Sequence, residues 1–246
     1  MLIVPRRRAS ALWTPANTTT TLWLDAADAS TVNVVSGRLL SWTDKSSSGN
    51  KSATAISTGP NFLSNALNGL PGVEFTGLAA QALSLANAVD SFGATIAIVA
   101  RHNTNSIGQI FSHSSLNRQL AFTATGGEVT LGGATPGANM ISAGQTTGVY
   151  YIITINAPNL GGQIFINGTN VTASGSASGS SYLFNQIGRR LTGNEPLNGV
   201  ITEAFWMPTS NNTALRQQAE GYLGDRWKLA PGLPADHPYK AAAPTQ

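Results

Sequence analysis

Apolar and polar residues alternate with a period of two through most of this chain. Short runs at 22–25 (LWLD), 38–43 (RLLSWT), 72–75, 82–85, 109–112, 119–123 and 128–131 carry the pattern, with Gly, Asn, Ser and Asp between them. Successive side chains on a strand point to opposite faces, so this period predicts strands with one face buried. Two runs are apolar at both parities, 94–100 (ATIAIVA) and 197–207 (LNGVITEAFWM), and predict strands inside a sheet covered on both sides. In the second of these, Val200, Ala204 and Trp206 are expected on one face and Ile201, Phe205 and Met207 on the other. Residues 149–155 (VYYIITI) form the strongest single strand signal. Asn167-Gly168, set between the runs 162–166 and 169–173, predicts a type I′ hairpin, because both central residues must take positive φ. Another strand is expected at 182–187, whereas 132–145 and 175–181 are Gly-rich loops.

The period changes once, near the C-terminus. Pro208–Asn212 is a cluster of turn and capping residues, after which Leu215, Ala219, Tyr222, Leu223 and Trp227 recur at spacings of three and four. That spacing draws one apolar stripe down a helix, and Pro231-Gly232 ends the helical region. Many short strands with one late helix predict an all-β fold, an antiparallel β-sandwich with a single C-terminal α-helix. The expected organisation is an N-terminal anchoring arm at 1–20, one domain at 21–240 and a C-terminal tail at 241–246.

Composition narrows the function classes. Of 246 residues, 41% are hydrophobic, enough for a core, but only 10% are charged, against roughly 25% in average soluble proteins. Gly, Ser, Thr and Asn fill the difference, giving an exterior solvated by hydroxyls and amides. The net charge of +3 includes one basic run, Arg6-Arg7-Arg8, inside the arm. Nucleic-acid binding needs Lys and Arg interleaved with aromatics on folded elements, and no such stripe occurs. There is no cysteine, hence no disulfide or thiolate metal site. No stretch reaches the ~18 apolar residues of a membrane span, and the N-terminus lacks the apolar core of a secretory signal. An exterior-style composition without an export signal suits a virion protein, assembled in the host cytoplasm and released by lysis.

The segments LWLDAADAST (22–31), SWTDKSSSGNKSATA (41–55), NALNGLPGVEFTG (65–77), IFINGT (164–169) and LRQQAEGYLGDRWKL…LPADHPYK (215–240) together resemble the LamG-like jelly-roll domains of the concanavalin A-like lectin/glucanase superfamily. The resemblance covers roughly residues 20–240. It implies two stacked antiparallel sheets with the first and last strands near each other. Single-domain forms without a signal peptide are similar to tail, fibre and head-decorating proteins of tailed bacteriophages. The family's Asp-x-Ser-Gly-Asn-Gly-Asn-type turn corresponds to residues 44–50 (DKSSSGN). Calcium wants several convergent carboxylates; this turn has one, Asp44, with Lys45 beside it, and turn geometry accounts for it.

Candidate chemistry is sparse. Glycoside hydrolysis needs two carboxylates flanking the scissile bond, and glucanases of this superfamily carry Glu-x-Asp-x-x-Glu on a strand. That pattern is missing; Asp25 and Asp28 lie three apart across a turn, and Glu74, Glu128 and Glu203 are isolated. The chain is therefore expected not to be an enzyme and to need no cofactor. Glu203 shares a strand face with apolar residues, so it is expected buried and paired, with Arg101, Arg189 or Arg190 as candidate partners. His102, His113 and His237 lack metal-ligand spacing, and the GSASG at 175–179 has no helix after it. A sugar would be met by an aromatic face with amides and guanidinium groups, for which His113, Asn117, Arg118, Tyr182, Arg189 and Arg190 are the candidates. Leu2, Ile3, Val4 and Trp13 are expected to seat the arm in a groove of a capsid or tail subunit, with Arg6, Arg7 and Arg8 on its acidic residues. The reading is a bacteriophage structural protein, homo-oligomeric in the particle, decorating capsid or tail with weak glycan contact. A glycan-cleaving hydrolase and a free carbohydrate-binding module are the alternatives.

Overall fold

A computed structural model describes residues 10–116, 118–133, 139–157, 162–174, 181–190 and 195–246. Among these residues the chain forms eighteen strands, one α-helix at Thr213–Arg226 and two short 3-10 turns. The strands pair antiparallel in a ladder that folds into two layers. This is the all-β sandwich with one late helix that the hydrophobic pattern predicts.

One layer centres on Ala94–His102, which pairs with Tyr150–Ala157 on one side and Asn198–Met207 on the other. Asn198–Met207 also pairs with Leu22–Asp25 and with Leu70–Thr76, so the first and last long strands are neighbours. The other layer runs Ala53–Ala55, Leu83–Asp90, Leu183–Ile187, Gly108–Ser112, Arg118–Phe122, Val129–Gly133 and Met140–Ser142. Its inward row, Leu83–Ile187–Phe111–Leu120–Leu131–Met140, is wholly buried. These side chains meet Ile96, Ile98, Ile153, Ile155 and Trp206 of the first layer, and the Phe111 and Trp206 rings pack edge to face at 4.6 Å. Alternation of period two thus builds the common core.

The first layer is covered on its outer face as well. Ala97, Val99, Ile152, Phe205 and Met207 pack under Ala219, Tyr222, Leu223 and Trp227 of the helix. A register shift between Ile201 and Glu203 modifies the expected parity of this strand. The bulge turns Ile201 into the inner core with Ala204 and Trp206, while Glu203 stays with Phe205 and Met207 on the helix side. Asn212 caps the helix, its side-chain oxygen accepting from the Leu215 amide at 3.0 Å. The buried helix face is not apolar throughout, because it includes Arg216 and Glu220.

The hairpin at 163–170 has Asn167 at φ 48° and Gly168 at φ 79°, as a type I′ turn requires. Residues 11–13 pair with residues 244–246. Leu12 bridges Thr245, the Trp13 amide donates to the Pro244 carbonyl, and the Gln246 amide donates to the Ala11 carbonyl. Trp13, expected to face a partner with the arm, is instead 5% exposed and packs against the Tyr222 ring at 6.0 Å. A large apolar ring gains more from its own domain's second core, a few residues away in space, than from solvent exposure. Leu2, Ile3, Val4, Arg6, Arg7 and Arg8 lie outside the described residues.

Candidate functional site

The outer face of the second layer is polar and mostly closed: Gln109, Ser112, Thr130 and Gln186 are buried, Gln119 is half-buried and Ser84 is exposed. Partners in a ladder share a face, so the register assembles a row Ser84–Gln186–Ser112–Gln119–Gly132 and beside it Gln109–Ala121–Thr130–Ile141. Amides and hydroxyls therefore line the side opposite the core. Gln109 Nε2 donates to Gln119 Oε1 at 3.2 Å and to Glu195 Oε2 at 2.6 Å, while Arg190 Nη2 bridges to Glu195 Oε1 at 2.8 Å. Gln109 Oε1, Gln186 Oε1 and Thr130 Oγ1 are buried without a partner among the described residues. A buried oxygen left without a partner costs about 1–3 kcal/mol.

Of the six residues expected to meet a sugar, the five that are described do not form one open site. Arg190 reaches the amide row, its Nη1 also lying 3.4 Å from Gln119 Oε1. Arg189 turns away and donates to the Ala79 carbonyl at 2.9 Å. Arg118 lies over the Tyr182 ring at 5.3 Å, but Tyr182 is only 3% exposed and belongs to the core, so its face is not open for stacking. His113 Nδ1 accepts from the Ser115 and Leu116 amides, both at 3.1 Å, which fixes its loop. Partial burial, then the nearby Arg118 charge, lowers the His113 pKa. Asn117 lies outside the described residues. The glutamines of the two rows went unnoticed in the sequence because they come from three separate strands; the signal is the polar residues at the outward positions of each.

Two acid networks occupy the helix–sheet interface. Register sets Asp25 opposite Glu203, and both are fully buried. Glu203 Oε1 accepts from Trp23 Nε1 at 2.8 Å and from the Tyr222 hydroxyl at 2.9 Å; Oε2 accepts from Trp227 Nε1 at 2.7 Å and lies 3.3 Å from Arg226 Nε. Asp25 Oδ2 takes Arg226 Nη2 at 2.7 Å and Lys45 Nζ at 3.0 Å, and Lys45 also reaches Asp28 at 2.7 Å. The partner of Glu203 is thus Arg226, not one of the three arginines expected. Arg101 stacks on Tyr150, while Arg189 and Arg190 are engaged as above, whereas Arg226 rides on the helix that covers this face. Burial and then the Asp25 charge push the Glu203 pKa up to about 7, with Arg226 and the indole donors opposing them. The hydrogen bond from Lys45 holds Asp28 down at about 2.

The second network is Glu220. It accepts from Thr154 Oγ1 and Arg216 Nη1, both at 2.6 Å, and pairs with His237 Nε2 at 3.0 Å. Because His237 Nδ1 accepts the Tyr239 amide, Nε2 carries the proton and donates. This ties the 233–240 segment onto the helix. Asp44 likewise serves its own turn, accepting from the Trp23, Ser46 and Lys51 amides at 2.9, 2.9 and 3.0 Å. Among the described residues, no three His, Cys, Asp or Glu side chains gather as metal ligands.

No protein-family model and no curated protein matches this chain. Solved structures do. Domain 4 of AbnA, a GH43 extracellular arabinanase from Geobacillus stearothermophilus solved in complex with arabinotriose, aligns over 82% of this chain and 98% of its own, with TM-score 0.56 and 12% identity. Trypanosoma rangeli sialidase in complex with sialic acid aligns over 92% of this chain but 35% of its own, with TM-score 0.58 and 11% identity. The binding domain of Paraclostridial Mosquitocidal Protein 1 aligns over 82% and 52%, with TM-score 0.55 and 12% identity. The chain thus spans about a third of the sialidase and half of the toxin's binding domain. At such low identities the likeness establishes the fold alone, a β-sandwich; the tailed-phage side of the resemblance has no counterpart among these three. They also correct the expectation that the chain is not an enzyme. Two of the three structures belong to glycoside hydrolases, so nothing in the fold excludes hydrolysis.

Proposed function

We propose that this chain is a glycan-contacting, lectin-like sandwich carried as an attached component of a bacteriophage virion. The observation that carries the glycan reading is the polar cluster of Gln186, Ser112, Gln119, Gln109 and Thr130 on the second layer, in which Gln119 is half-buried and three buried oxygens have no hydrogen-bond partner among the described residues. Sugar hydroxyls supply donors and acceptors to amides in just such a pattern. The likeness to a domain solved with arabinotriose and to a sialidase solved with sialic acid supports this class of ligand. The sparsely charged exterior supports the virion setting, with attachment through Leu2–Val4 and Arg6–Arg8 to a capsid or tail subunit.

The full chain applied to a glycan array is expected to give reproducible binding. Gln119→Ala, at the half-buried middle of the row, should weaken it without lowering the melting temperature by more than about 3 °C. An array without hits would overturn the glycan reading. For the virion, mass spectrometry of purified particles should find the chain, and particles that lack it would overturn that part alone.

A further inference from the structure

Phe92 is the one exposed aromatic among the described residues, at 43% exposure. It stands in the turn between Leu83–Asp90 and Ala94–His102, where the chain passes from one layer to the other. The ring lines a cleft of about 250 Å³ together with Lys51, Asp90, Ala88, Thr21 and Pro208. That is below the roughly 300–1,000 Å³ of sites for drug-sized ligands, and so matches one small ring rather than an extended molecule.

The turn is held in place before any ligand arrives. Asp90 Oδ1 accepts the Phe92 amide at 2.9 Å and Asp90 Oδ2 accepts the Ser181 hydroxyl at 2.6 Å. The Ser91 amide donates to the Tyr182 carbonyl at 3.1 Å and the Gly93 amide to the Ala157 carbonyl at 2.8 Å. Phe92 is therefore presented to solvent on a fixed backbone, which lowers the ordering cost of binding. Across the cleft, Lys51 Nζ bonds Asn50 Oδ1 at 2.9 Å and Ser48 Oγ at 3.4 Å, which leaves a third N–H to donate. Each Asp90 oxygen keeps a lone pair. One cation and one anion face an apolar floor, so the cleft favours no net charge in its ligand.

We infer that this cleft is a stacking subsite for one neutral sugar ring of an oligosaccharide, with its apolar face on Phe92 and its hydroxyls on Lys51 and Asp90. The inference rests on the glycan reading above and adds to it where one ring sits and what class of sugar it is. An exposed phenyl face recognises the C–H side of a sugar, while the flanking ammonium and carboxylate recognise its hydroxyl edge.

The test is calorimetric titration of the full chain with arabinotriose, cellotriose and maltotriose. Wild type is expected to bind at least one of them, Phe92→Ala to weaken that binding roughly tenfold, and Phe92→Tyr to retain it. The side chain is exposed, so the melting temperatures of both variants should match wild type. Wild-type binding that survives Phe92→Ala unchanged would overturn the subsite and leave the glycan reading standing. Absence of wild-type binding to all three would overturn the subsite together with the neutral class of ligand, whereas a silent array is what removes the glycan reading itself.

Discussion

Replacing Glu203 with Gln keeps the shape of the buried carboxylate and removes its charge, and the consequences follow from three hydrogen-bond donors and one ion pair. Trp23 and Tyr222 donate to one oxygen, while Trp227 and Arg226 address the other. The amide can keep its oxygen on the Arg226 side and turn its NH₂ toward the Tyr222 hydroxyl, which can rotate to accept. The Trp23 indole then has no acceptor, at a cost of about 1–3 kcal/mol. A second effect is the pH profile. Glu203 titrates near 4.5 when unfolded and near 7 when folded, so between these values the folded state holds a proton that the unfolded chain has lost. Its contribution is fully present below 4.5 and is lost as pH rises through 7, a decline of about 3 kcal/mol in wild type. Glu203→Gln has no such slope. The gap between the two proteins should therefore be wider at pH 5 than at pH 8, and the variant should melt lower by about 2–4 °C for each kcal/mol. Thermal unfolding followed by circular dichroism across pH 5–8 measures this. A variant that melts with wild type at pH 5 would refute the donor count, and a profile that runs parallel to wild type would refute the direction of the shift.

Two further outcomes are expected. Glu220→Ala leaves the buried Arg216 without its carboxylate and frees His237, which should cost about 3–5 kcal/mol and raise hydrogen exchange across residues 233–240; protection in that segment equal to wild type would contradict the clasp. Gly168→Ala forces a Cβ into φ +79° and within 3.1 Å of Pro234 and His237 atoms. It should lower stability by about 1–2 kcal/mol in urea denaturation, and an unchanged midpoint would argue against the I′ turn.

The layered fold was legible in the sequence because its cause is local. Period-two alternation, the Asn167-Gly168 turn and the switch to helical spacing after Pro208 each depend on neighbours a few residues apart. The covered sheet was legible too, since ATIAIVA has no polar parity to show to water. What lay beyond reach was everything set by register between distant strands. A one-residue bulge at Thr202 decides which face Ile201 takes. Asp25 meets Glu203 and Arg226 only because the first strand pairs with the last and the helix folds back over both. Trp13 is placed by the pairing of residues 11–13 with 244–246, which no spacing within either terminus announces. Gln186 and Gln119 share a row, with Gln109 in the next, for the same reason. Side-chain type and spacing determined which elements this chain makes; the pairing of those elements, a property of contacts far apart in sequence, decided which polar groups come together and which remain without partners.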